Sequence, residues 1–370
     1  MKTSGRFLLS FVFAALLAGA LPVRAVPVSG LYEARVPVTD RSSSARRTAL
    51  QQALSTVLVK ITGARSVPGV LTPMLADPNR YLQQYSYEQA PVDPNAPATT
   101  TGGSQALVLW AKFDPKVVNQ DVSAAHMPLW GMERPRTLLW LALQDSPAGR
   151  LLPAADTSYL MQALTDAAQQ RGIVLLFPQL DAVDRAALGV PDITAFNLDR
   201  IRAASARYRP DSILVGSVTP FGNGQYAAQW ELFNGTEQET WQSPPGDEAT
   251  TVVDGVQVTA DHYAARYAIA AGAGDLVGTA LEVDGITNLD SYAKVLAYLN
   301  GLTPVQAVRV ERMEPGSAFF SIDARGSLDN LRSALTLGDL LLPGDTAAPA
   351  ASTGTVAIPQ QLRYRYNPGP

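Results

Sequence analysis

The run RTLLWLAL, Arg136 to Leu143, most constrains what this chain can become. It is apolar almost without interruption, where a strand with one wet face would alternate. A strand of this kind is buried on both faces, which places it inside an α/β layer structure with cover on each side. Its surroundings agree. TSYLMQALTDAAQQRG follows as a helix with Leu160, Leu164 and Ala167 inward, then IVLLF (173–177) as a second buried strand, then LDRIRAASARYR as a helix capped by Asn197. SILVGSVTPFGNGQYAAQWELFNGTEQETW reads as an antiparallel meander, turning at Asn223-Gly224 and Asn234-Gly235, where left-handed backbone is needed. Residues 132–242 thus form a middle α/β domain.

Two further blocks flank it. In residues 26–131, LYEARVPV is a strand. SSSARRTALQQALSTVLVKITG is an amphipathic helix with Ala49, Leu50, Ala53, Leu54, Val57, Leu58 and Ile61 at helical spacing. Ser42 to Ser44 supply its cap and Gly63 its stop, while Arg46 and Arg47 lie on the solvated face. Residues 90–105 are a low-complexity loop, ALVLWAKFD a returning strand, and DPKVVNQDVSAAHM a helix. Residues 260–342 read helix, strand, helix, strand, strand, helix. Leu289, Tyr292, Ala293, Leu296 and Leu299 line one helical face, which suggests a small ferredoxin-like module. Residues 343–370 are a flexible tail ending in RYRY, either an edge strand or a docking tail. The expected fold class is α/β, an α+β mixture of several small sandwich modules.

The first 25 residues read as a secretory signal: Lys2 and Arg6, the apolar run Phe7 to Ala20, then small residues before a cut after Ala25 or Ala20. The apolar run is shorter than a membrane span of about 20 residues, and no later stretch is apolar enough to cross. A soluble, periplasmic mature chain from Val26 is expected. With no cysteine in the chain, its stability rests on buried apolar surface rather than disulfides. The net charge is −4, and more acidic without Lys2, Arg6 and Arg24. An acidic chain is a poor nucleic-acid binder, because counterion release needs a basic face.

Little of the remainder resembles catalysis. The two histidines, His126 and His262, are far apart and form no metal-binding pair; no metal or other cofactor is expected. There is no G-x-S-x-G elbow; Gly216-Ser217 lies inside a strand, where the glycine permits close packing or a bulge. AGAGDLVG, Ala271 to Gly278, follows a helix, so Gly272 and Gly274 read as a helix stop and not a dinucleotide loop. Asp181 with Asp184 and Glu311 with Glu314 are near in sequence, which does not place carboxylates across a cleft. Asn234-Gly235-Thr236 fits a glycosylation acceptor but reads as a turn.

One stretch concentrates unusual residues: HMPLWGMERPRTLLWLALQD, His126 to Asp145. As a joint between the first two blocks, it packs Leu129 and Trp130 into the seam, while Pro135 starts the strand and Glu133 pairs with Arg134 or Arg136. As a groove, Trp130, Arg134 and Arg136 form a binding seam, since domain interfaces favour pockets.

LYEARVPVTDRSSSARRTALQQALSTVLVKITG, WAKFDP and MPLWGMERPRTLLWLAL together resemble an uncharacterised exported bacterial family, the domain of unknown function numbered two thousand and sixty-six, over roughly residues 28–240. The resemblance implies an exported proteobacterial protein and supplies no catalytic residues. The middle block is also similar to small periplasmic α/β domains of the Tol B type, which bind protein partners. Three readings follow: an exported, non-catalytic envelope protein that binds another envelope protein; a periplasmic binder of a small molecule or cell-wall fragment at the seam; and a hydrolase working without histidine.

Overall fold

A computed structural model describes residues 30–91, 105–235, 237–269, 277–337, 340–344 and 361–368. The expected signal peptide, most of the low-complexity loop, Gly272 and Gly274, and most of the linker after Pro343 lie outside the described residues. The chain is mixed α/β, built on three sheets with their own cores.

The first block holds β1 (Glu33–Pro37), α1 (Ser43–Thr62), β2 (Leu82–Pro91), β3 (Gln105–Phe113) and α2 (Pro115–Ala124). The strands form an antiparallel sheet in the order β1-β3-β2. The α1 stripe read from the sequence is buried throughout, because seven apolar residues at helical spacing have one sheet face to cover. Ser42 Oγ accepts from the Ala45 N–H, and Gly63 ends the helix at φ 69°, a left-handed position that glycine takes without strain.

The middle block holds β4 (Arg136–Leu143), β5 (Arg150–Leu151), α3 (Tyr159–Arg171), β6 (Val174–Leu176), α4 (Ala182–Ala187), α5 (Val190–Thr194), α6 (Leu198–Ser205), β7 (Ser212–Gly222), β8 (Gln225–Asn234), β9 (Glu237–Gly246) and α7 (Glu248–Tyr267). The sheet runs β5-β4-β7-β8-β9, with β6 also beside β4; β4 and β7 are parallel and β7-β8-β9 is the meander. Along β4, Leu139, Leu141 and Leu143 enter one core with α3 and α7. Leu138, Trp140 and Ala142 enter another under α4 to α6. Two covered faces are why the run does not alternate. IVLLF is less buried than expected: only Val174–Leu176 forms a strand, and it is half-buried. It pairs with only the first three residues of β4. Asn197 stands at the start of α6 but caps it with its carbonyl, not its side chain. Asn223 and Gly224 have φ 52° and 72°, as their turn requires. The next hairpin turns one residue later than expected, since Asn234 still pairs with Glu237.

Gly216 is a close-packing glycine. A Cβ there would stand 2.3 Å from Trp230 and 2.7 Å from Leu141. On α7, a Cβ at Gly255 would stand 2.5 Å from the same indole. A mid-helix glycine gives up about 1 kcal/mol relative to alanine. Forcing an atom into a filled core costs about 1–3 kcal/mol. The ring of Trp230, fully buried, therefore sets both residues.

The last block holds β10 (Val277–Ile286), α8 (Leu289–Gly301), β11 (Val305–Glu314), β12 (Gly316–Ala324), α9 (Leu328–Leu337), β13 (Leu341–Pro343) and β14 (Gln361–Tyr366). The order is β11-β12-β10-β14-β13. From β10 to β13 the elements follow the ferredoxin-like βαββαβ succession, but β14 inserts between first and last strands, parallel to β10 and antiparallel to β13. The expected tail differs in its last part: residues 361–366 form a strand in the interior of the sheet and not at its edge. Leu362, Tyr364 and Tyr366 are buried in the core, and the alternate Arg363 pairs with Glu282 at 2.7 Å. The helix expected to open this block is the end of α7, which packs on the middle sheet through Val252, Val256, Ala260 and Tyr263. The face of α8 is also rotated from the expected stripe. Ser291, Val295 and Leu299 are buried, while Leu289 is 79% exposed. Among the described residues, no helix is long and apolar enough to cross a membrane.

Candidate functional site

Trp130 and Arg134 come together where all three blocks meet. Trp130 is 1% exposed and Arg134 5%. The Arg134 guanidinium carbon lies 3.5 Å from the Trp130 ring centroid, a cation–π contact in a dry setting. Its N–H groups donate to backbone carbonyls: Nε to Gly131 at 2.6 Å, Nη2 to Lys60 and Trp130 at 2.8 Å each, and Nη1 to Gly172 at 3.4 Å. Lys60 lies in the last turn of α1, and Gly172 is the residue that ends α3. Helix C-termini carry unsatisfied carbonyls and partial negative charge. One arginine therefore ties two helix ends together. Burial pulls its pKa down to about 9, still above neutrality, so the guanidinium is charged at pH 7.

Arg171, at the end of α3, extends the joint. It is 1% exposed and donates to Gly63 O at 2.8 Å and Asp261 Oδ1 at 2.7 Å, and also to Gln257 on α7. Asp261 accepts from Arg65 as well, at 2.7 Å. Leu129 and Ile269 exchange backbone hydrogen bonds at 2.9 Å, and the Trp130 N–H donates to Ile61 O at 2.7 Å.

Two pairings differ from the sequence reading. Glu133 accepts the Thr303 N–H at 3.2 Å, linking the joint to the last block. Arg136 forks onto Asp211 instead, at 3.0 and 3.2 Å, fixing the start of β4 against β7. Arg134 precedes β4 whereas Arg136 is its first residue, and Pro135 lies between them, so strand alternation does not tie their directions together. Sequence reasoning missed Lys60, Arg171, Asp211 and Asp261. Arg171 carried only the weak signal of a basic residue before a helix-ending glycine.

The seam is nearly full. The space beside Trp130, lined also by Gly131, Tyr267, Ile269, Thr303 and Asn330, has room for about one water molecule. A Cβ on Gly131 would fall 1.7 Å from Thr303 Oγ1, so here the bare Gly131 backbone packs against the Thr303 side chain.

Lys60 is also drawn in, its Nζ donating to Glu33 O at 2.9 Å. Burial, then the Arg134 charge, lowers its pKa to about 8. The folded pKa lies below the unfolded value near 10.5. Between these two values the unfolded chain binds more protons, so Lys60 makes stability rise with pH from about 8 toward 10. Urea midpoints measured across that window should climb less in Lys60→Met than in the parent; equal slopes would remove Lys60 as the cause.

The other sequence candidates are scattered. His126 sits at φ 56° just beyond α2. His262, on α7, lies 5.7 Å from the Trp241 ring. Ser217 Oγ accepts from Gln144 at 2.9 Å. Asp181 and Asp184 do converge, but on Arg207, at 2.8 and 2.9 Å. Hydrogen bonds from Arg207 hold the Asp181 carboxyl well below the usual carboxylate range. Among the described residues no three His, Cys, Asp or Glu side chains gather as a metal site. A recess of about 300 Å³ lies between the edge strand β9 and α7, lined by Leu232, Glu237, Glu239, His262, Ala265 and Arg266.

A family model described as Domain of unknown function (DUF8605) matches residues 25–131. It is an uncharacterised domain, as the sequence resemblance implied, but a different one, and it ends at Gly131 rather than running through the middle block. No curated protein matches the chain.

Proposed function

We propose that the chain is an exported, non-catalytic protein of the bacterial cell envelope whose work is to bind another envelope protein. One observation carries this reading: at the joint Arg134, Arg171 and Lys60 are turned inward onto backbone carbonyls at α1, α3 and β1, with the half-exposed Asp261 pairing with Arg171. This cluster joins modules and leaves room for about one water molecule beside Trp130. The features open to a partner lie elsewhere, at the surface. The edge strand β9 presents exposed Glu237 and Glu239 beside the recess on α7, a place where a basic extended segment can add to the sheet. The similarity of the middle block to periplasmic modules of the Tol B type, and of the leader to a secretory signal, supports the same reading. The seam as a ligand groove is disfavoured by its fullness, since drug-sized pockets run to about 300 Å³ or more.

The test places a photocrosslinking residue at Thr240 of β9 in the living cell. The expected result is one reproducible envelope partner, lost in Glu237→Lys/Glu239→Lys, and a purified protein whose amino terminus is Val26. No partner at any β9 position would overturn the binding surface. A purified chain beginning at Met1 would overturn export.

A further inference from the structure

The far edge of the last sheet is β11, which pairs with β12 alone among the described strands. Its second half reads Arg309-Val310-Glu311-Arg312-Met313-Glu314, and all six residues are exposed. Two of them are apolar, Val310 at 39% and Met313 at 51%. Both point to the helix-bearing face, since they stand opposite the buried Phe320 and Ala318. Residues opposite one another in an antiparallel pair share a face.

Spacing alone would put Arg312 on the face of Val310. A bulge at Glu311 prevents this: Val310 pairs with Phe320 and Arg312 with Phe319. Arg309, Arg312 and Glu314 therefore share the open face. Arg309 is held by Asp323 at 2.8 and 3.0 Å, and Arg312 lies 4.0 Å from the Phe319 ring centroid and 2.9 Å from Glu314.

We infer that β11 pairs antiparallel with β11 of a second copy of this chain, joining two five-stranded sheets across a two-fold axis. The occupant is chosen by the segment's own pattern, arginine-apolar-glutamate given twice. Reversed against itself, Arg309 meets Glu314, Val310 meets Met313 and Glu311 meets Arg312, and the two-fold repeats each pair. The bulge makes the faces agree as well: Arg309 and Glu314 both lie on the open face, Val310 and Met313 both on the helix face. A slip by one residue sets Arg309 against Met313 and Val310 against Arg312, mixing apolar with charged groups on opposite faces. An isologous contact of this kind closes at two copies and does not propagate. Charged, bulged edges ordinarily resist pairing with arbitrary strands. Here the same devices admit one partner, the segment itself.

The inference is independent of the β9 surface, which belongs to another sheet. Sedimentation equilibrium of the purified mature chain tests it. The wild-type protein should sediment at twice the monomer mass. Glu311→Lys/Glu314→Lys and Arg309→Glu/Arg312→Glu should each be monomeric with unchanged far-ultraviolet circular dichroism. Mixed in equal amounts, they should recover the dimer as heterodimer only. A wild-type chain that stays monomeric at its highest soluble concentration overturns the proposal and leaves the edge to a different protein. So does a dimer that survives in both charge variants.

Discussion

Replacing Arg134 with alanine is expected to lower folding stability by about 4 kcal/mol, the middle of the range for removing one partner of a buried charged interaction. The side chain is 5% exposed, and its guanidinium serves the carbonyls of Lys60, Trp130, Gly131 and Gly172. Each buried carbonyl left without a donor costs about 1–3 kcal/mol. Water entering the vacated space recovers part of that, which keeps the total below the sum. Burying the charge is itself expensive, so Arg134→Met regains the desolvation term but not the donors and should lie between alanine and wild type. Arg134→Lys should fare little better than alanine. A lysine has three donors at one point, where these acceptors lie around a planar fork. Urea unfolding midpoints of the three variants decide this. A change under about 1 kcal/mol in alanine would place Arg134 outside the joint.

The second large effect belongs to Trp130. Its truncation to alanine removes a fully buried indole between α1 and α7, with Tyr263 at 6.2 Å centroid to centroid. Large-to-small changes of buried tryptophan cost about 3–5 kcal/mol. The ring also supports the Arg134 guanidinium, so the two losses should not add. In the double variant Trp130→Ala/Arg134→Ala, the shortfall from additivity should be about 1 kcal/mol or more, as for residues in direct contact. Additive losses would mean that the stacking contributes nothing. Unchanged stability in Trp130→Ala, with a binding activity lost instead, would return the seam to its reading as a ligand groove.

How legible these features were depends on where the controlling information lies. β4 announced itself because a strand covered on both sides is apolar at every position, and α1 because its stripe is unbroken. α7 was read only at its end. Gly255 and the β-branched run before it argue against a helix locally, yet Trp230 needs the space a glycine leaves, so packing overrode propensity. The alternation in RYRY showed a strand. Its place between β10 and β13 did not show, because it pairs in parallel with a strand about eighty residues earlier. For β11, the bulge turned an apparently irregular charge pattern into one with two consistent faces.

The seam divides the same way. Trp130 and Arg134 stood out by residue type, and the structure does bring them into contact. What Arg134 binds could not be read, because backbone carbonyls have no residue identity. The expected partner, Glu133, was the nearest carboxylate in sequence. In the fold it accepts from Thr303, and Arg136 finds Asp211 at the start of the neighbouring strand β7. Local charge pairing was the wrong guide at a position where two helices end.

The central claim is that Arg134 ties the ends of α1 and α3 into one joint. Native-state hydrogen exchange on wild type and Arg134→Met tests it most directly, followed at the amides of the last turns of both helices. Loss of protection in both helix ends together, with β11 and β12 unchanged, is the predicted result. Unaltered protection at both ends, or loss confined to one of them, would contradict the account.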